Sequence, residues 1–154
     1  MTMTAKSKDL TGYETRHQTI PRYSRIIIID DSEIDLEVEK IIMKGINLAR
    51  TIDLRTKGQE VIQELSNIRR LDEVPELIFL DLNMPGMNGI EFLNAFNFLP
   101  EFVKQKCSIV IVTSTNVQRT VDMTYTNPSV IDYVVKPLDA EYARKFLTYD
   151  KTIR

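Results

Sequence analysis

The chain has 154 residues, 43% hydrophobic and 27% charged, with 20 basic against 22 acidic side chains and a net charge of −2. That is the size and mix of one globular domain, and the near-balance of charge excludes a broad electrostatic grip on nucleic acid or an anionic membrane. A lone cysteine, Cys107, and a lone histidine, His17, exclude an internal disulfide, a cysteine-rich zinc site and a multi-histidine metal site within one chain.

Residues 1–23 are polar with little periodicity, and are expected to form a flexible arm ahead of a single domain over residues 24–150. Met1–Lys8 lacks the apolar core of a secretory signal, and no apolar run is long enough to span a bilayer. The cytoplasm is the expected compartment.

Ile26–Ile29 is a continuous β-branched run ending in Asp30-Asp31, as for a strand covered on both faces. Ser32 is placed to cap a helix whose apolar spacing runs through Ile34, Val38, Ile41 and Ile42, with Gly45 near its stop. Thr51–Arg55 alternates polar and apolar, which suits a half-exposed edge strand. Val61, Ile62, Leu65 and Ile68 mark a second helix. Leu77–Leu80 is a second buried strand running into Asp81, followed by the turn residues Met84–Gly89 and a helix carrying Ile90, Leu93 and Phe96.

Ile109–Val112 is another buried strand and ends in Thr113; beside it, Cys107 reads as a small core residue. A fourth helix is expected from about Val117 to Tyr125, stopping at Asn127-Pro128. Its threonines, Thr120, Thr124 and Thr126, favour helix only modestly, so we expect it to be loosely held. Val130–Val135 is the last strand and runs into Lys136-Pro137; Tyr142, Ala143, Phe146 and Leu147 set the core face of a fifth helix. Strand and helix thus alternate about five times, which calls for a doubly wound parallel sheet with helices on both faces. The edge character of the second strand favours the order 2-1-3-4-5.

Polar residues break the apolar strands at one kind of place. Asp30 and Asp31 end the first strand, Asp81 the third, Thr113 the fourth and Lys136 the fifth, and in a parallel sheet those ends share one edge. With this order the winding reverses between strands one and three, so the three carboxylates should converge there. Ionised carboxylates that close need protons or a cation, and hard oxygen donors suit Mg2+. Asp81 could then act as a nucleophile toward a phosphoryl group, with Lys136 and Thr113 as donors to its oxygens. Each feature alone has an ordinary explanation in capping or turn chemistry; their joint placement points to a site.

The segments Ile29–Ser32, Leu80–Gly89, Ile111–Ser114 and Tyr133–Pro137 resemble the receiver domain of two-component response regulators, across about residues 24–149. The resemblance implies a flavodoxin-like fold with the strand order given above. It also implies that Asp81 accepts a phosphoryl group from the phosphohistidine of a sensor histidine kinase or a phosphotransfer protein. Asp31, Asp81 and the backbone carbonyl of Asn83 would bind Mg2+, with Asp30 supporting it largely through water. Lys136 and Thr113 would hold the phosphoryl group beside the small residue Ser114, and Tyr133 would be the switch aromatic. On this reading the chain is a signalling switch and not a conventional enzyme.

Two features depart from the family's common pattern. Asn127–Val130 replaces a frequent Gly-Ala, next to the face made by the fourth helix, the fifth strand and the fifth helix. The loosely held fourth helix is expected to reorder on phosphorylation of the domain. The chain also ends soon after the fifth helix, so output is expected through docking to another, unnamed protein or through phosphorelay, and a phosphorylation-dependent dimer is left open. One alternative is a phosphorylation-independent interaction module on the same fold, disfavoured because every acceptor, acidic and lysine residue is present. A Mg2+-dependent aspartyl phosphatase is also disfavoured, because Asn83 stands where such enzymes keep a general-acid aspartate.

Overall fold

The computed structural model describes residues 19–114 and 118–151. Most of the expected N-terminal arm, His17, and Val117 at the expected start of the fourth helix lie outside the described residues. Five parallel strands, β1 (Tyr23–Ile29), β2 (Ala49–Arg55), β3 (Leu77–Leu80), β4 (Ser108–Thr113) and β5 (Val130–Val135), form one sheet in the order β2-β1-β3-β4-β5. The expected order is therefore the observed one. Strands β3 and β4 are buried at every residue, because both sheet faces are covered.

The two cores divide by strand alternation. Ile27, Ile29, Ile78 and Leu80 point to one face, where α2 (Gly58–Asn67), α3 (Gly89–Phe96) and α4 (Glu101–Lys106) add Leu65, Phe92 and Val103. Ile26, Ile28, Phe79 and Val110 point to the other, against Leu36 and Met43 of α1 (Glu33–Gly45) and Phe146. Phe146 lies in the 3-10 turn Arg144–Leu147 that continues α6 (Ala140–Ala143), and its ring meets Phe79 edge-on at 5.5 Å. Each such fully buried side chain contributes about 1.5–3 kcal/mol through removal of apolar surface from water.

Helix α4 was not expected; Pro100 opens it after the break at the end of α3, so the expected fourth and fifth helices are α5 (Gln118–Tyr125) and α6. Ser32 caps α1 as expected, its hydroxyl accepting from the Asp35 amide at 3.3 Å. Gly45 is the last residue of α1 but not its left-handed stop: Asn47 takes that conformation with φ 55°. The larger correction concerns which side of α1 faces inward. Leu36, Glu39 and Met43 are buried, whereas Ile34 is 77% and Ile41 67% exposed and Val38 is also exposed. Of the expected stripe Ile42 alone packs against the core, and the fully buried apolar side chains are Leu36 and Met43.

Asn127 explains the departure from Gly-Ala. Its side-chain oxygen accepts from the Ser129 amide at 2.9 Å, and its amide nitrogen donates to Leu93 O and Asn97 Oδ1 at 3.3 and 3.0 Å. The turn between α5 and β5 is thereby tied to the end of α3. No helix among the described residues is long and apolar enough to cross a membrane.

Candidate functional site

Register places the site. The pair Ile29–Leu80 closes the β1–β3 ladder, and the Asp81 amide then donates to Ile29 O at 3.0 Å, which sets Asp81 beside Asp30. On the far side the ladder of β4 and β5 runs one step further, as the Lys136 amide donates to Thr113 O at 2.8 Å. Asp30, Asp31, Asp81, Thr113 and Lys136 therefore gather at one sheet edge for the same reason: each ends, or directly follows, an apolar strand.

Loop chemistry then fixes the individual side chains. Asp30 Oδ1 accepts from the Ser32 amide at 2.9 Å, and Asp81 Oδ1 accepts from the Asn83 amide at 3.2 Å. The loop after Asp81 turns through Gly86, whose φ of 74° suits glycine. It returns at Gly89, where a Cβ would lie 2.6 Å from Leu82 Cα and 2.7 Å from Asp81 O. Only a residue without a side chain fits against the backbone of Asp81 and Leu82. Asn88 and Glu91 close a reciprocal capping box that starts α3 there.

One carboxylate oxygen from each of Asp30, Asp31 and Asp81 lies within 4.8 Å of the other two. Asp30 and Asp81 are buried and Asp31 is exposed, so the cluster has one open side. Three hard anionic donors with an open side fit a divalent cation such as Mg2+, which keeps several waters. Lys136 Nζ lies 2.5 Å from Asp30 Oδ2, 2.9 Å from Asp35 Oδ2 and 3.5 Å from Asp81 Oδ2. Burial alone would lower the Lys136 pKa, but the hydrogen bonds it donates to Asp30 and Asp35 and the field of Asp81 outweigh it, so it is raised. Burial raises the Asp30 carboxyl despite its bond to Lys136, and Asp81 adds to the rise.

The hydroxyl of Thr113 is fully buried and accepts from Asn83 Nδ2 at 3.3 Å; Ser114 follows it and is exposed. Tyr133, opposite Ile111 in the ladder, is half-buried against the core face formed by α2 and α3. A cleft of about 440 Å3 lined by Asp31, Thr56, Lys57, Gly86 and Met87 opens beside the carboxylates.

Two residues on α1 were not anticipated. Asp35 joins Lys136, and Glu39 is buried one turn further on, its pKa raised to about 8 by burial first and the field of Asp30 second, with Lys136 opposing. The signal for both lay in their spacing: positions 32, 35, 36, 39 and 43 form one stripe of α1, and Ser32 already faces the site.

An all-parallel 2-1-3-4-5 sheet with an acidic crevice where its winding reverses, and a lysine reaching into it from the end of β5, defines a doubly wound α/β domain. Residues 26–147 match the response regulator receiver domain, and the chain belongs to that family, whose domains act in signalling. It is 28% identical over 128 residues to a probable C4-dicarboxylate response regulator of Bacillus subtilis, covering 80% of this chain and 50% of that protein. A two-component response regulator from Cytophaga hutchinsonii superposes with a TM-score of 0.73 at 26% identity, over 80% of this chain and 93% of that one. A response regulator receiver protein from Dyadobacter fermentans gives 0.69 at 30% identity, over 80% and 94%. The chain spans half or less of the length of the first curated relatives it matches.

Proposed function

We propose that this chain is a phosphorylation-activated switch of a two-component system, with residues 24–150 as the switching unit, residues 1–23 as an arm before it, and the cytoplasm as its compartment. The observation that carries the reading is the placement of Asp81, buried, within 4.8 Å of two further carboxylates and 3.5 Å from an ammonium. A carboxylate oxygen of Asp81 attacks the phosphorus of a phosphohistidine on a sensor kinase or phosphotransfer protein. A P–O bond forms as the P–N bond breaks, and the imidazole nitrogen leaves with the bonding pair. Water later attacks the same phosphorus, the bond to Asp81 breaks, and inorganic phosphate leaves with the carboxylate restored.

Asp31, Asp81 and the Asn83 carbonyl would hold Mg2+, with Asp30 supporting it. When bound, the cation supplies charge neutralisation at the phosphoryl oxygens. Lys136 donates from Nζ to one of those oxygens and Thr113 turns its hydroxyl from Asn83 toward another, with Ser114 leaving room. The ring of Tyr133 follows Thr113 inward, altering the face of α5, β5 and α6 for a downstream protein. A second copy of the chain is one such partner.

Intact mass after incubation with a small acyl phosphate and Mg2+ tests this. Wild type is expected to gain one phosphoryl group, while Asp81→Asn and chelator-treated wild type gain none. Wild type that stays unmodified at saturating donor would point to a phosphorylation-independent interaction module instead.

A further inference from the structure

Lys136 is held by a carboxylate outside the proposed acceptor and cation set. Its Nζ is 2.9 Å from Asp35 Oδ2 and 3.5 Å from Asp81 Oδ2, so the ammonium sits closer to helix α1 than to the acceptor. Capping explains why an acidic residue occupies the first turn of α1, where the helix dipole favours it. Capping does not explain the side chain's direction. Asp35 is 42% exposed and has water available, yet it turns to Lys136.

The remaining close partner of Lys136 is Asp30, whose charge a bound cation would share. Once that happens, Asp35 is the carboxylate still free to hold the ammonium, and the ammonium is what a phosphoryl group on Asp81 requires. We propose that Asp35 is a positioning residue that competes with the phosphoryl group for Lys136, and so sets the balance between the unphosphorylated and phosphorylated states. The inference rests on the reading of Asp81 as acceptor.

The test uses the full chain and titrates beryllium fluoride, a phosphoryl mimic, at saturating Mg2+, with tyrosine fluorescence as readout. Asp35→Asn is expected to bind the mimic about two- to fivefold more tightly, the scale of a partly exposed ion pair, and Asp35→Glu to return toward wild type. Glu33→Gln removes the same charge from the same helix turn without touching Lys136, and should change affinity by less than about 1.5-fold. Equal tightening by Glu33→Gln would reduce the effect to general charge relief and overturn the proposal. Unchanged affinity in Asp35→Asn would overturn it too. Wild type that neither binds the mimic nor gains a phosphoryl group would instead sink the acceptor reading, and this inference with it.

Discussion

Glu39 carries a carboxyl that burial keeps largely protonated at neutral pH, since its pKa is raised to about 8 from 4.5. The unfolded chain gives up that proton near the ordinary value. Between about pH 4.5 and 8 the native state therefore binds the extra proton, and stability falls as pH rises through that window. Glu39→Gln removes the dependence. The variant should match wild type near pH 5 and exceed it by on the order of 2 kcal/mol at pH 8, measured by denaturant unfolding at both. A gain of equal size at the two pH values would contradict this origin. Cys107 is a simpler case: it is fully buried, burial pushes its thiol up to about 12, and it fills core without serving as a nucleophile.

Helix α1 leaves part of its apolar surface in water. Ile34, Val38 and Ile41 are exposed on the helix whose first turn also supplies Asp35 to the site, and we expect them to contact a protein donor that approaches Asp81. Replacing Ile34 and Ile41 with serine is expected to slow phosphoryl transfer from a protein phosphohistidine at least about tenfold. Transfer from a small acyl phosphate and the melting temperature should both be nearly unchanged, as neither side chain supports the core. A matching loss with both donors would place the fault in the site.

This helix also marks the limit of what could be read from the residues alone. Periodicity located α1 and its cap, but a helix with apolar residues on two sides does not declare which side faces the sheet; the packing of Leu36 and Met43 against the strands decides that, and it is a tertiary contact. The strand Leu77–Leu80 was legible to the residue because both its faces are covered and no polar position interrupts it, and Val130–Val135 was legible from its β-branched residues although Asp132 interrupts it and it is only partly buried. The strand-end residues were legible because each ends, or directly follows, an apolar strand. Helix α4 was not, since Glu101–Lys106 is too short to show a period.

At the scale of the molecule, apolar surface is buried along the length of the sheet while like charges are collected at one edge. Asp30, Asp31 and Asp81 repel one another, which opposes folding, and a bound cation would relieve it. Mg2+ at about a hundred times its dissociation constant should raise the melting temperature by about 5–10 °C. Asp31→Asn should raise the melting temperature without Mg2+ and blunt the response to it. A scan in which Mg2+ leaves wild type unmoved would count against a cation at these three carboxylates.

The Asn127 turn has a mechanical consequence. One side chain joins α3 to the entrance of β5, and its own backbone closes the end of α5 through Thr124 O. A rearrangement that starts at Thr113 and spreads along β5 meets a pinned joint at that strand's far end. It must pivot about Asn127 or break the hydrogen bonds gathered there. A shift at the Thr113 end would then swing β5 about its Asn127 end, and carry with it the face made by α5, β5 and α6.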